Sequence, residues 1–350
     1  MTNEQVEVVR MVTSIATVAA VALPVGLVAR ALRPKGESLL PRWKPFPVPW
    51  GGFEVTIAFV LVVFVSRDLM AEVLNGSGFY QFVYGDDFPV PKAEGLDPER
   101  KAEAFTLRIL WASLFALPIQ LGAIVAWRNM RYPAWRPRSN GSVAGKVGLA
   151  VLAWCALTPA VLLLNAVVNV VSQQLAVTPE THPVAKLGAR PLLDQVLLAL
   201  EACVGAPLRE EFLIRGVMLW WCVRRMKVAG VGVAPVTSWR PWFVMFATVP
   251  FVAFAALVGK WQPAVFACIL AVGLAVLWRF TRTGARRARA VYATAAFFAL
   301  MHPVWPNPIA LFVLGLGLGW LAVRTNGLLV PVLVHGLFNA VSVVFVLRGG

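Results

Sequence analysis

Residues 328–347 read LLVPVLVHGLFNAVSVVFVL, a run of twenty residues without Asp, Glu, Lys or Arg. About 20 apolar residues in a helix cross the hydrocarbon core of a bilayer. Comparable apolar runs lie upstream at 11–29, 53–66, 109–127, 147–171, 195–223, 242–259, 263–278, 291–304 and 308–323. The sequence therefore predicts an all-α, polytopic integral membrane bundle of about 8–10 transmembrane helices.

The composition of the whole chain agrees with this class. Hydrophobic residues make up 59% of the 350 residues and charged residues only 14%. A soluble globular domain carries about 25% charged residues, so this chain has too few charges to coat a surface in water. The lipid bilayer accepts apolar surface, and the sequence predicts it as the principal partner.

The formal net charge is +15, and the positions of the basic residues indicate what that charge does. Lys and Arg lie in short clusters between apolar runs, whereas a nucleic-acid-binding protein concentrates them on one face or arm. Nucleic acid is therefore not an expected partner. The basic loops are 30–48, 128–146, 224–241 and 279–289.

The loop charges also predict an orientation. If every apolar run crosses once, all four basic loops fall on one side, which the positive-inside rule assigns to the cytoplasm. The loop at 67–108 carries eight Asp and Glu and falls on the other side. We expect an integral protein of a bacterial inner (plasma) membrane. Because Gly205 and Pro207 lie within 195–223, this run could instead be a re-entrant segment followed by one helix. The number of membrane crossings, and with it the side assigned to the later loops, would then change.

Ionisable groups inside an apolar segment cost roughly 2.5–3.5 kcal/mol each on insertion, so they are functional candidates. The densest set lies in APLREEFLIRGVMLWW at 206–221. In an α-helix Glu211 and Arg215 are four residues apart and can form an ion pair. Glu210 points about 100° away from that pair and is the acid expected to face another element.

Two further patterns repeat the four-residue spacing. Phe298 lies one turn before His302, and His335 shares a helix face with Asn339. A buried carboxylate can act as general base toward water, and an imidazole can share that water. A second imidazole and an amide can donate hydrogen bonds to an oxyanion. These residue types together suit the hydrolysis of a peptide bond.

The chain resembles the CAAX prenyl endopeptidase and bacteriocin-processing (CPBP, Abi) family of intramembrane proteases. The resemblance rests on three patterns, which occur in the family's order and each in an apolar segment: Glu210-Glu211-x-x-x-Arg215, Phe298-x-x-x-His302 and His335-x-x-x-Asn339. The resemblance covers roughly 190–345. It implies a C-terminal protease core at 190–350, preceded by N-terminal transmembrane segments with long polar loops at 1–189.

The resemblance also implies a role for each residue. Glu210 and His302 would activate water, while His335 and Asn339 would bind the oxyanion. Glu211, Arg215 and Phe298 would support them. The substrate implied is a membrane-embedded or membrane-associated peptide or protein, and its identity, including whether it is prenylated, stays open.

Other interpretations remain at this point. No cofactor is expected, but zinc is possible, with Glu210, His302 and His335 as its ligands. No HExxH pair is present. A non-catalytic scaffold or bacteriocin-immunity protein of the same fold is the alternative from a different class.

Two simpler patterns predict packing. The four cysteines lie in or beside apolar runs without metal-type spacing, and we interpret them as packing residues. Gly315, Gly317 and Gly319 lack a preceding strand, so they predict close helix packing instead of a nucleotide loop.

Overall fold

Helices account for nearly all the regular structure in the computed structural model, which describes residues 50–85, 88, 97–131, 142–174, 191–223, 226–228, 231–234, 239–280, 286–304 and 306–348. The helices are α1 (Gly52–Val60), α2 (Ser66–Gly76), α3 (Phe79–Tyr84), α4 (Pro98–Arg131), α5 (Val143–Gln174), α6 (Leu192–Leu200), α7 (Ala206–Glu210), α8 (Trp220–Val223), α9 (Arg240–Phe246), α10 (Val249–Leu257), α11 (Gln262–Phe280), α12 (Arg286–Leu300), α13 (Asn307–Thr325) and α14 (Leu329–Leu347). A short antiparallel hairpin joins β1 (Met226–Val228) to β2 (Val231–Ala234). The predicted all-α fold is confirmed.

Six helical stretches among the described residues are long and apolar enough to cross a membrane. They are Arg100–Ala126, Val143–Gln174, Arg240–Leu257, Gln262–Arg279, Asn307–Thr325 and Leu329–Leu347. Each coincides with an apolar run of the sequence, and the chain is an integral membrane protein. The predicted segment 11–29 lies outside the described residues.

Within the described residues, three π-helical segments alternate with the α-helices. They are π1 (Leu61–Val65), π2 (Glu201–Gly205) and π3 (Glu211–Leu219). Backbone hydrogen bonds in a π-helix join residues five apart, so each turn holds one more residue than an α-turn, and such segments are frequent at functional sites. The run predicted at 195–223 is therefore a series of helical segments from α6 to α8.

Prolines and one left-handed residue set several helix ends. Pro241, Pro250 and Pro308 lie in the first turns of α9, α10 and α13, where a missing N–H costs nothing. Asn326 closes α13 in the left-handed conformation with φ 51°. Gly327 N then donates to the carbonyl of Ala322, as in a helix C-terminal cap.

Two compact units divide the chain. The first contains the described residues of Pro137–Glu180 and Ile214–Val334, and the second contains those of Pro49–Arg136, Thr181–Leu213 and His335–Gly350. The boundary predicted between 1–189 and 190–350 follows the positions of the motifs and stays a prediction.

In the first unit, α13 packs closely on two neighbours through its glycines. Gly315 and Gly319 face α12, and a Cβ on Gly315 would lie 3.1 Å from Ala295 Cβ. Gly317 faces α5, where a Cβ would lie 2.6 Å from Leu157 Cδ1. The close packing predicted for the three glycines is confirmed.

In the second unit, a partly buried chain of hydrogen bonds joins α3, α4 and α6. Trp111 Nε1 donates to the Tyr84 hydroxyl at 3.0 Å, and that hydroxyl donates to Asp194 Oδ1 at 2.8 Å. Tyr80 lies fully buried beside this chain, and burial raises its pKa to about 12. Tyr80 therefore keeps its proton and donates to the Arg108 carbonyl.

We expect Gly315→Ala to lower the stability of the purified protein, because the new methyl meets the backbone of α12. Overpacking of this kind costs about 1–3 kcal/mol. The measurement is thermal unfolding in detergent. Gly148→Ala is the matched control. Gly148 lies within α5, and a Cβ there would have nothing within 4 Å. Alanine at this position should leave the free energy of unfolding unchanged or raise it by about 0.5–1 kcal/mol. Equal melting temperatures for the two variants would contradict the packing described.

Candidate active site

The predicted HxxxN helix, α14, approaches the π2 segment very closely within the second unit. A Cβ on Gly336 would lie 2.5 Å from the carbonyl oxygen of Cys203, so only glycine fits there. One turn further along, Asn339 Nδ2 donates to the carbonyl oxygen of Ala202 at 2.7 Å. The carbonyls of Ala202 and Cys203 thus fix the position of α14 along its axis relative to π2.

This contact places His335 between two carboxylates. Its Nδ1 lies 3.0 Å from Glu211 Oε1, a hydrogen bond. Its Nε2 lies 3.9 Å from Glu210 Oε2, which is too long for a direct hydrogen bond. Neighbouring acids in sequence therefore contact opposite edges of the same imidazole ring.

The two acids differ in their access to solvent. The Glu211 side chain is 0% exposed, whereas the Glu210 side chain is 18% exposed. Glu211 is therefore suited to orienting His335, and Glu210 is the acid that a water molecule or substrate can reach.

In the first unit, His302 is oriented by the end of its own helix. The helix α12 ends at Leu300, and the His302 N–H bonds to the Ala299 carbonyl instead of the Phe298 carbonyl. The Phe298 carbonyl instead accepts from His302 Nδ1 at 2.8 Å. The proline at 303 cannot extend the helix. This local geometry explains the four-residue spacing of Phe298 and His302.

The Phe298 carbonyl also determines which nitrogen of His302 carries hydrogen. A carbonyl oxygen only accepts, so Nδ1 must be the donor. In the neutral ring the lone pair is then on Nε2. The nitrogen that can accept a proton or bind a metal is therefore Nε2.

Arg215 supports this histidine through the same phenylalanine. Its guanidinium carbon lies 4.6 Å from the centroid of the Phe298 ring, and its Nη2 donates to the Gly315 carbonyl at 3.3 Å. The Phe298 ring in turn lies edge-on to the His302 ring, with centroids 5.1 Å apart. Arg215 and Phe298 are both fully buried.

The structure thus brings the predicted residues together in two groups. The second unit contains Glu210, Glu211, His335 and Asn339, and the first contains Arg215, Phe298 and His302. The expected ion pair of Glu211 with Arg215, and the action of Glu210 and His302 on one water, stay predictions.

Sequence reasoning missed one charged pair. Glu201 Oε1 bonds to Arg209 Nη2, in a contact that is largely buried. The two residues are eight apart, a spacing that brings no pair together in a regular α-helix. The signal that could have found it is a second acid, Glu201, inside an apolar run.

All four cysteines are free thiols. Cys222 is buried, as the predicted packing role requires, whereas Cys268 is exposed and does not fit that prediction. Within the described residues, no group of three His, Cys, Asp or Glu is arranged to hold a metal ion.

Part of the chain matches the model of a known protein family. The model described as type II CAAX prenyl endopeptidase Rce1-like matches residues 278–341. The match contains Phe298, His302, His335 and Asn339 and lies C-terminal to the paired glutamates. No curated protein and no solved structure matches the chain.

Proposed function

We propose that this chain is an intramembrane endopeptidase that hydrolyses peptide bonds with activated water. The match at residues 278–341 supports its membership of the CAAX prenyl endopeptidase family. One observation carries the proposal. His335 lies between Glu210 and Glu211, and Asn339 lies one turn away on the same helix. The proximity of a carboxylate to an imidazole and an amide supports the proposal.

Glu210 is the proposed general base. It takes a proton from water as the oxygen attacks the peptide carbonyl, a task for a carboxylate within reach of solvent. His302 is proposed to act on the same water through Nε2, since its Nδ1 is committed to the Phe298 carbonyl. The proton then passes to the leaving amine, which completes the cleavage.

His335 and Asn339 are the proposed oxyanion donors. The Asn339 amide has two N–H groups, and one of them serves the Ala202 carbonyl. The second is the one assigned to the oxyanion. His335 can donate from Nε2 while Nδ1 donates to an ionised Glu211 only if the ring carries both protons. If Glu211 is instead protonated, it donates to Nδ1, and a neutral His335 ring carries its hydrogen on Nε2; both arrangements supply the proposed donor.

The proposed substrate is a peptide or protein in the membrane, and the proposed location is a bacterial inner membrane with the basic loops in the cytoplasm. Support for that orientation comes from the loop charges. No metal takes part in the proposed reaction.

We expect Glu210→Gln to lower turnover by about 10²–10⁴-fold, as for the loss of a general base, while the melting temperature stays near that of the wild type. Membranes containing each variant are compared for new peptide termini by mass spectrometry. Glu211→Gln keeps an acceptor oxygen for His335 but removes the charge, so it should lower stability more and turnover less. Glu72→Gln, at an exposed acid of α2, is the control. Identical termini with wild type and Glu210→Gln would favour the non-catalytic scaffold.

The purified protein should contain well under one zinc per chain, and chelation should leave its activity intact. Metal content is measured by inductively coupled plasma mass spectrometry on protein that cleaves peptide. Stoichiometric zinc, with activity lost on chelation and regained on adding zinc, would establish the metal-dependent version with Glu210, His302 and His335 as ligands.

A third expectation concerns orientation. After replacement of the native cysteines, Thr283→Cys in the basic loop 279–289 should react with a membrane-impermeant maleimide added from the cytoplasmic side. Ser77→Cys, at an exposed position between α2 and α3, should react only from the opposite side. The reverse pattern in vesicles of known sidedness would overturn the orientation.

A further inference from the structure

A buried ion pair joins the start of π2 to the end of α7. Glu201 is 6% exposed, and its Oε1 contacts Arg209 Nη2. Arg209 Nη1 also reaches the Ser113 carbonyl of α4 at 3.4 Å. The arginine is therefore held from two sides within the second unit, by a carboxylate on its own helical stretch and by a neighbouring helix.

The π2 segment is what allows the pair to form. Residues eight apart in an α-helix differ by about 80° in direction, whereas residues seven apart differ by only about 20°. The extra residue of a π-turn gives residues 201 and 209 the directions of residues seven apart. Without that residue, Glu201 and Arg209 would point to different sides of the helix.

Gly205 makes room for the carboxylate. A Cβ on Gly205 would lie 2.2 Å from Glu201 Oε2 and 3.2 Å from Leu114 Cδ2. The Glu201 side chain therefore lies along its own helix and passes over Gly205. A side chain at position 205 would displace the Glu201 carboxylate.

Both ends of the pair adjoin the proposed catalytic residues. Ala202, next to Glu201, supplies the carbonyl that binds Asn339. Arg209 directly precedes Glu210, and Glu210 is an electrostatic neighbour of Glu201. The ion pair therefore links the backbone at Ala202, which holds Asn339, to the residue that precedes Glu210.

We propose that the Glu201–Arg209 pair is a positioning element that sets the distance between Glu210 and the His335–Asn339 face of α14. This inference rests on the proposed function. Stability alone explains the pair poorly, because replacing a buried ion pair by apolar residues of similar volume is often neutral or stabilising. Geometric precision at the reacting groups gives the pair a role that apolar residues cannot supply, since a displacement of about 1 Å can cost about 10²-fold in rate.

The test replaces both charges at once. Glu201→Met with Arg209→Leu keeps the volume and leaves no charge unpaired, so the double variant should fold with a melting temperature at or above that of the wild type. We expect kcat to fall about 10–100-fold with little change in KM. The substrate is a peptide identified in the mass-spectrometric comparison above.

Two further variants complete the experiment. Gly205→Ala leaves every charge in place but pushes the Glu201 carboxylate aside, and it should lower kcat in the same way. Ser66→Ala with Gln120→Leu removes a partly buried polar contact elsewhere in the second unit, and it should leave kcat unchanged.

The outcomes separate the two proposals. A stable apolar double variant with wild-type kcat overturns the positioning role and leaves the proposed function intact. A fall in kcat that appears equally in the Ser66/Gln120 control shows a general structural effect and also overturns it. Wild-type protein that cleaves no peptide, compared with Glu210→Gln, overturns the proposed function and this inference together.

Discussion

The cost of placing charge in an apolar environment governs this structure. Among the site residues described, Glu211, Arg215 and His335 are almost wholly buried, and each contacts a group of opposite or complementary character. An ionisable group without such contacts would shift to its neutral form or disrupt the segment. The contacts that lower this cost also fix the directions of the rings and carboxylates, so insertion and the geometry of the site have one physical origin.

Much of the fold follows from the sequence, because apolar length is a strong signal. The runs at 109–127 and 308–323 correspond to helices that can cross a membrane. The glycine spacing in α13 also predicted close packing correctly, since a missing side chain has a direct steric meaning. The spacing of Phe298 and His302 indicated one helical turn between them. In the structure α12 ends at Leu300, and the His302 ring instead bonds to the Phe298 carbonyl beyond the helix end.

The π segments could not be predicted in this way. A π-turn adds one residue without a change in hydrophobic character, so periodicity at 195–223 cannot distinguish it from a regular helix. The partner of Glu201 was missed for that reason. The contact of Glu211 with His335 was missed for another reason, because the two residues are 124 positions apart in the sequence. Contacts between distant segments leave no local pattern.

The hydrogen bond from His302 Nδ1 to the Phe298 carbonyl has a chemical consequence of its own. The bond is made within one helix end, so the tautomer does not depend on any group arriving from elsewhere. An electrophile that reaches this ring would therefore form its new bond at Nε2, and the adduct would be a single regioisomer. The regiochemistry of the imidazole is thus determined by the local structure of residues 298–302.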